Sequence, residues 1–245
     1  MFDRKNVVAI LAVVLLLASS SLAAEPIEDL LSQAREAYFA GSYYQAESLF
    51  KELLDREAYE WDAHFYLGMT YLHKEQLEEA EHHMDQAYAM NPDNFFTLVN
   101  YARILYRQGH LQEADAMLNL VPEEKRTTSE SYFNNRGLLA MAEEEYEQAV
   151  EYFLKAVEIN PENYYVQNNL GLALIRKGDF EKASHHLELA AAQDPPEAYI
   201  YNNLGVAYEN MNQLEAAREN YERAVELNHQ HAQINLDRVI SRLED

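Results

Sequence analysis

The sequence contains no cysteine. That excludes disulfides, thiolate metal sites and a thiol nucleophile, as well as lipid attachment at a cysteine behind a leader. Glycine and proline are scarce, seven and six in 245 residues, which is little turn material for an all-β fold. Positive charge is scarce too: 19 Lys and Arg stand against 42 Asp and Glu, a net charge of −23. Such a surface repels phosphate backbones and anionic lipid, so no nucleic-acid partner is expected, and a basic partner would be steered towards it. No calcium loop, phosphate-binding glycine loop or HExxH helix is present, and no cofactor, metal or catalytic residue is expected. What remains is rich in Ala, Leu, Glu and Tyr, which suits packed helices.

Residues 1–24 differ in kind. Arg4 and Lys5 precede the uncharged run VVAILAVVLLLA, which is followed by SSSLAA. Charged start, short apolar core and small-residue exit are the three parts of a secretory signal peptide, with cleavage expected near Ala23-Ala24. The run is shorter than the roughly 20 residues of a comfortable membrane span. The expectation is an exported, periplasmic protein; the alternative is a chain held in the membrane by an uncleaved leader, if Ser19–Ala24 extend the apolar segment.

Behind the leader one period governs the chain. Gly137, Gly171 and Gly205 are 34 residues apart. Alanines follow each glycine, Gly68 included, at fixed distances: Ala80, Ala149, Ala183 and Ala217, then Ala87, Ala156, Ala190 and Ala224. Pro92, Pro161 and Pro195 close three of the units. A 34-residue unit of this kind is an antiparallel helix pair, broken at Gln108-Gly109-His110 or Lys177-Gly178-Asp179 and ended at Asn91-Pro92 or Asn160-Pro161, because proline disfavours α geometry in the residue before it. One pair cannot bury its apolar stripe alone, so pairs must stack.

WDAHFYLGMTYLHKEQLEEAEHHMDQAYAMNP, with Trp61, Leu67, Gly68, Tyr71, Ala80, Ala87 and Pro92 in place, resembles the tetratricopeptide repeat. Six such repeats fit, three over 27–128 and three over 130–231. Residues 121–130 form an irregular joint, where Pro122 interrupts the third repeat and Ser129 is inserted; 232–245 form a C-terminal capping helix through Leu236, Val239, Ile240 and Leu243. The resemblance implies an all-α, right-handed superhelical solenoid whose first helices line a concave groove.

The sequence repeats one polar feature. Asn100, Asn135, Asn169 and Asn203 hold the sixth position of successive repeats, and Asn134, Asn168 and Asn202 the fifth. An amide carries both an acceptor and donors, so it can match a peptide group. In this frame the pattern resembles the asparagine ladder of some tetratricopeptide superhelices, which implies capture of an extended peptide's backbone. Phe96, Tyr165 and Tyr199 at the second position, Tyr106, Met141 and Ile175 at the twelfth, and Arg103, Arg107 and Arg176 would then supply sequence preference. The competing reading is that the asparagines bond between adjacent helices and brace the stack. Both roles can coexist.

His82-His83 and His185-His186 occupy equivalent places, but adjacent helical residues do not face one another, so neither pair chelates by itself. His229 and His231 lie in a loop, and Glu143-Glu144-Glu145 reads as a solvated corner. The expectation is therefore an exported, non-enzymatic scaffold that binds an extended segment of a protein partner, with a homodimer permitted. Its layout is similar to the pilotins of type IV pilus assembly, and its rear block to repeat proteins of tight-adherence pili, although the absent lipid-accepting cysteine departs from the pilotin pattern. The rival readings are a non-catalytic subunit of a cell-wall enzyme complex and a self-assembling structural protein.

Overall fold

The turn inside each helix pair needs a residue in the left-handed region, and the computed structural model places one there in all six repeats: Gly41, Glu75, Gly109, Glu144, Gly178 and Asn212, with φ between 59° and 88°. At Gly109 the turn is closed by its own N–H to Tyr106 O (3.0 Å) and by His110 N–H to Leu105 O (2.9 Å). Glu144 and Glu145 repeat this with Met141 and Ala140. These paired bonds satisfy carbonyls that a helix end leaves without partners. The acidic corner at 143–145 is thus also a turn in which a glutamate holds a backbone state that glycine adopts more cheaply.

The structure describes residues 26–192 and 197–244, and the leader at 1–24 and Pro195 lie outside them. The described residues form fourteen helices and fall into two compact units divided after Ala87. In the first unit, α1 (Ile27–Phe39), α2 (Tyr43–Asp55), α3 (Glu60–His73) and most of α4 (Leu77–Met90) bury Leu30, Ala34, Phe50, Leu67 and Met84. The second holds α5 (Phe95–Gln108), α6 (Leu111–Leu120), the one-turn α7 (Glu123–Arg126), α8 (Glu130–Ala142), α9 (Tyr146–Ile159), α10 (Tyr164–Lys177), α11 (Phe180–Ala191), α12 (Ala198–Asn210), α13 (Leu214–Glu226) and α14 (Ala232–Glu244). The all-α repeat solenoid expected from the sequence is the class observed.

Close approach explains the periodic glycines. A β-carbon on Gly137 would stand 2.5 Å from the Phe153 ring, on Gly171 2.5 Å from Leu187 Cγ, and on Gly205 2.6 Å from the Tyr221 ring. In each pair the second helix presses its largest buried side chain into the glycine gap of the first. One apolar core runs from Ala140 through Phe153, Leu170 and Leu187 to Ala207. Each fully buried large side chain in it contributes about 1.5–3 kcal/mol. Asn94 Oδ1 caps α5 by accepting from Thr97 N–H (3.0 Å), and Asn163 Oδ1 caps α10 by accepting from Tyr165 N–H (3.0 Å).

At the 121–130 segment, Pro122 opens α7, so α6 stops at Leu120. The Arg126 guanidinium ties the segment down, donating to Val121 O (2.7 Å) and Asn119 O (2.8 Å). Helix α14 packs its Leu236 and Val239 against Ala217 and Tyr221 of α13, with Ile240 and Leu243 half-buried beside them. Arg238 and Arg242 both reach Glu209 on α12, which also accepts from the Tyr221 hydroxyl (2.9 Å). These hydrogen bonds, Arg238 first, hold the Glu209 carboxyl below its usual range.

Candidate functional site

In the second unit the asparagines bond to one another. Asn169 donates from Nδ2 to Asn134 Oδ1 (3.0 Å), and Asn203 to Asn168 Oδ1 (3.0 Å). The sixth-position amide of one repeat is thus the donor, and the fifth-position amide of the repeat before it is the acceptor. Where the earlier fifth position is Val99, Asn135 donates to that residue's backbone carbonyl instead (2.8 Å). Asn100 turns back to its own helix, donating to Phe96 O (2.8 Å). The ladder gains a further rung from α14, where Asn235 donates to Asn202 Oδ1 (2.9 Å). Sequence reading missed Asn235 because it stands 33 residues after Asn202, whereas the other fifth-to-sixth pairs are 35 apart.

The amides therefore brace consecutive first helices. Asn135 and Asn168 are buried, at 5% and 6% exposure, while Asn134, Asn169, Asn202 and Asn203 are half-buried. Each rung uses one atom of each amide. Of the buried side-chain polar atoms that lack a partner among the described residues, none belongs to these asparagines. Bracing is observed, and only the half-buried Asn134, Asn169, Asn202 and Asn203 keep an appreciable share of their surface exposed.

Asn203 and Arg176 are brought together. With Leu172, Ile175, Phe180, Val206 and Asn210 they line a groove of about 450 Å³ between α10 and α12. Leu172 and Val206 are ninth-position residues and Ile175 a twelfth, all on first helices of their repeats. Arg176 is exposed and has no ion-pair partner among the described residues. Phe180 and Asn210 were not singled out by sequence; they fall at the turn and the helix end, outside the repeating groove positions.

The remaining candidates are dispersed. Phe96, 60% exposed, lines a different depression of about 570 Å³ with Phe95, Lys125, Thr128, Ser129, Glu130, Ile159 and Asn160. Tyr165 is exposed and stacks on Tyr164 with ring centres 4.1 Å apart. Tyr199 is half-buried, its hydroxyl enclosed without a partner, and burial, with Tyr165 and Glu197 adding to it, pushes that hydroxyl's pKa up. Arg103 is half-buried on α5 and lines neither depression. No helix among the described residues is long and apolar enough to cross a membrane.

Models of the tetratricopeptide repeat match residues 31–95, 74–134, 140–202 and 198–231. No match was found among curated proteins. Solved structures share the fold at low identity. PilF of Pseudomonas aeruginosa is 18% identical with a TM-score of 0.71 over 88% of this chain and 97% of its own. PilW, described as a widely conserved type IV pilus biogenesis factor, is 16% identical with a TM-score of 0.74 over 89% and 100%. A chain of the Cut9–Hcn1 assembly of the APC/C is 16% identical with a TM-score of 0.76 over 92% of this chain, which spans 45% of that longer one.

Proposed function

Because the chain belongs to the tetratricopeptide-repeat family, whose folds serve as scaffolds for protein partners, we propose that it holds an extended peptide segment in the groove between α10 and α12. The observation that carries this reading is Arg176. In a chain of net charge −23, an arginine without a carboxylate partner stands beside the half-used Asn203 amide, over walls of Leu172, Ile175 and Val206. A peptide entering there would lay apolar side chains on those walls, meet the Asn203 amide with its backbone, and set an acidic group against the guanidinium. Helices pack about 8–10 Å apart and an extended chain advances about 3.3–3.6 Å per residue, so successive repeats would meet every second or third ligand residue. The partner orders itself on binding, which keeps affinity modest.

The chain is read as a binding scaffold without catalytic machinery, exported by its leader. Its place in pilus, secretion or envelope assembly is proposed from the layout and from the likeness to PilW and PilF, which at 16–18% identity shows the fold alone. A photo-crosslinking residue at Val206, with a second at the exposed Leu154 of α9 as control, tests the site in cells. Crosslinks from Val206 alone to one envelope protein are expected. Equal capture at both positions would overturn the assignment.

A further inference from the structure

In the first unit, His64 on α3 and His83 on α4 face each other with their Nδ1 atoms 2.9 Å apart. Sequence reading paired His83 with its neighbour His82, which lies edge-on to it at 5.2 Å between ring centres; the fold pairs it across the helix pair instead. The equivalent positions in the fifth repeat hold Gln167 and His186, where His186 Nδ1 and Gln167 Oε1 are 2.8 Å apart. The second unit thus shows what these two positions do structurally: one hydrogen bond. A glutamine acceptor suffices for it. The first unit puts a second imidazole in that place.

We propose that His64 and His83 form a two-imidazole site for a late first-row divalent metal ion of the zinc or nickel class. Two imidazole nitrogens at about 2.0–2.1 Å from one ion lie about 2.9 Å apart at a right angle and about 3.4 Å apart at the tetrahedral angle, and the observed separation is 2.9 Å. In the apo pair one ring donates its Nδ1–H to the other. To take the ion, the donor ring moves that proton to its Nε2 and both rings turn slightly, so that two lone pairs converge beside the N···N line. No net proton leaves. Imidazole suits these metals, and both side chains are half-buried rather than sealed, so an ion can enter.

The surroundings hold the rings in place and keep them neutral. Tyr71 stacks on His83 at 5.5 Å, nearly parallel. Burial lowers both imidazole pKa values, that of His83 to about 4 with His64, His82 and Lys51 adding to the fall and Glu47 opposing it, while Glu60 opposes the fall at His64. Among the described residues no group of three His, Asp or Glu side chains converges as a ligand set. The remaining coordination positions therefore go to water or to a donor atom of a partner.

The test is calorimetric titration of the tag-free full chain with zinc and, separately, nickel chloride at pH 7.5. His64→Gln and His82→Gln variants run beside it, each checked by its thermal melt. His64→Gln copies the Gln167–His186 pair, so it keeps the hydrogen bond and the fold while deleting one ligand. One saturable site in the wild type, weakened at least tenfold in His64→Gln and unchanged in His82→Gln, is expected. Absence of a saturable site in the wild type would overturn the proposal. So would equal affinity in His64→Gln, which would move the ion to other histidines such as His229 and His231.

Discussion

The two units join their repeats by different chemistry. In the first, charge does it: Arg35 of α1 pairs with Asp62 of α3, and Glu47 of α2 accepts from the Tyr71 hydroxyl of α3 (2.9 Å) and from Nζ of Lys74, just past the end of α3 (2.5 Å). In the second, neutral amides join α8 to α10, α10 to α12 and α12 to α14, and ion pairs are added only at its two ends, Arg136 to Asp115 of α6 and Arg238 and Arg242 to Glu209 of α12. A charged joint depends on pH and salt, whereas an amide joint does not. The amide joint also leaves groove-side donors and acceptors unneutralised, which is what a ligand's backbone needs. The unit with amide joints is also the one that holds the Arg176 groove.

Substitutions can break this contrast, and the largest effect is expected at the glycine gaps. Gly137→Ala drives a β-carbon to within 2.5 Å of the Phe153 ring, whereas at Gly68 the atoms met stand farther off, Met84 Cε at 3.0 Å and the backbone Ala80 O and Met84 N at 3.2 and 3.3 Å. Gly137→Ala should cost about 1–3 kcal/mol, and Gly68→Ala should cost less, because its helix-propensity gain offsets part of a milder crowding. Paired denaturant melts give both values; equal losses would mean that the gaps pack alike.

Next come the rungs. Asn135→Ala removes a buried amide and its added bond to the Val99 carbonyl, which keeps its own helix bond, at a cost of about 1–3 kcal/mol, and Asn169→Ala, at a half-buried position, should cost about 0.5–1.5 kcal/mol. Replacing Asn135, Asn169 and Asn203 together by Ala removes three rungs at once and should cost more than either single variant. Thermal melts of the two single variants check the ranking.

Acid should separate the units. Burial alone would raise the Glu47 carboxyl, but hydrogen bonds from Lys51, Lys74 and Tyr71 bring it down to about 2 from an ordinary value of 4.5. A carboxyl depressed in the folded state contributes stability that is fully present above about 4.5 and is lost as pH falls towards 2. Trp61, the single tryptophan, sits in α3 of the first unit, so its fluorescence reports that unit alone. Between pH 4.5 and 2 its transition should precede the loss of total helicity by circular dichroism. Coincident transitions would show that the rear unit, with Glu209 paired to Arg238 and Arg242 at α14, fails as early. The smallest effect is a gain: Glu144→Gly relieves a left-handed glutamate at φ 62° and should raise stability by up to about 1 kcal/mol, visible as a melt a few degrees higher.

The helix pairs were legible because one period carried glycine, alanine and proline together. The partner of each glycine was not, since Phe153, Leu187 and Tyr221 differ in type and only their shared distance reveals the role. The double asparagines were recognised as a repeated amide feature. Which amide bonds to which was hidden, because the bond links the sixth position of one repeat to the fifth of another and a one-dimensional frame shows both as neighbours in the same helix. Tyr165 fell outside the Arg176 groove because a second-position residue lies about two turns from the ninth position and nearly three from the twelfth, and Phe96 because it stands on α5, two repeats earlier. His64 attracted no attention beside the His82-His83 pair, because a contact across two helices leaves no mark on local spacing.

The most direct measurement selects peptides from a random extended-peptide library on the wild-type chain and compares their affinity for Arg176→Ala, with Lys177→Ala as an exposed control. Peptides that combine apolar residues with an acidic group are expected, bound at least tenfold more weakly by Arg176→Ala and unchanged by Lys177→Ala. Failure to select any peptide, or selected peptides that bind all three chains alike, would contradict it.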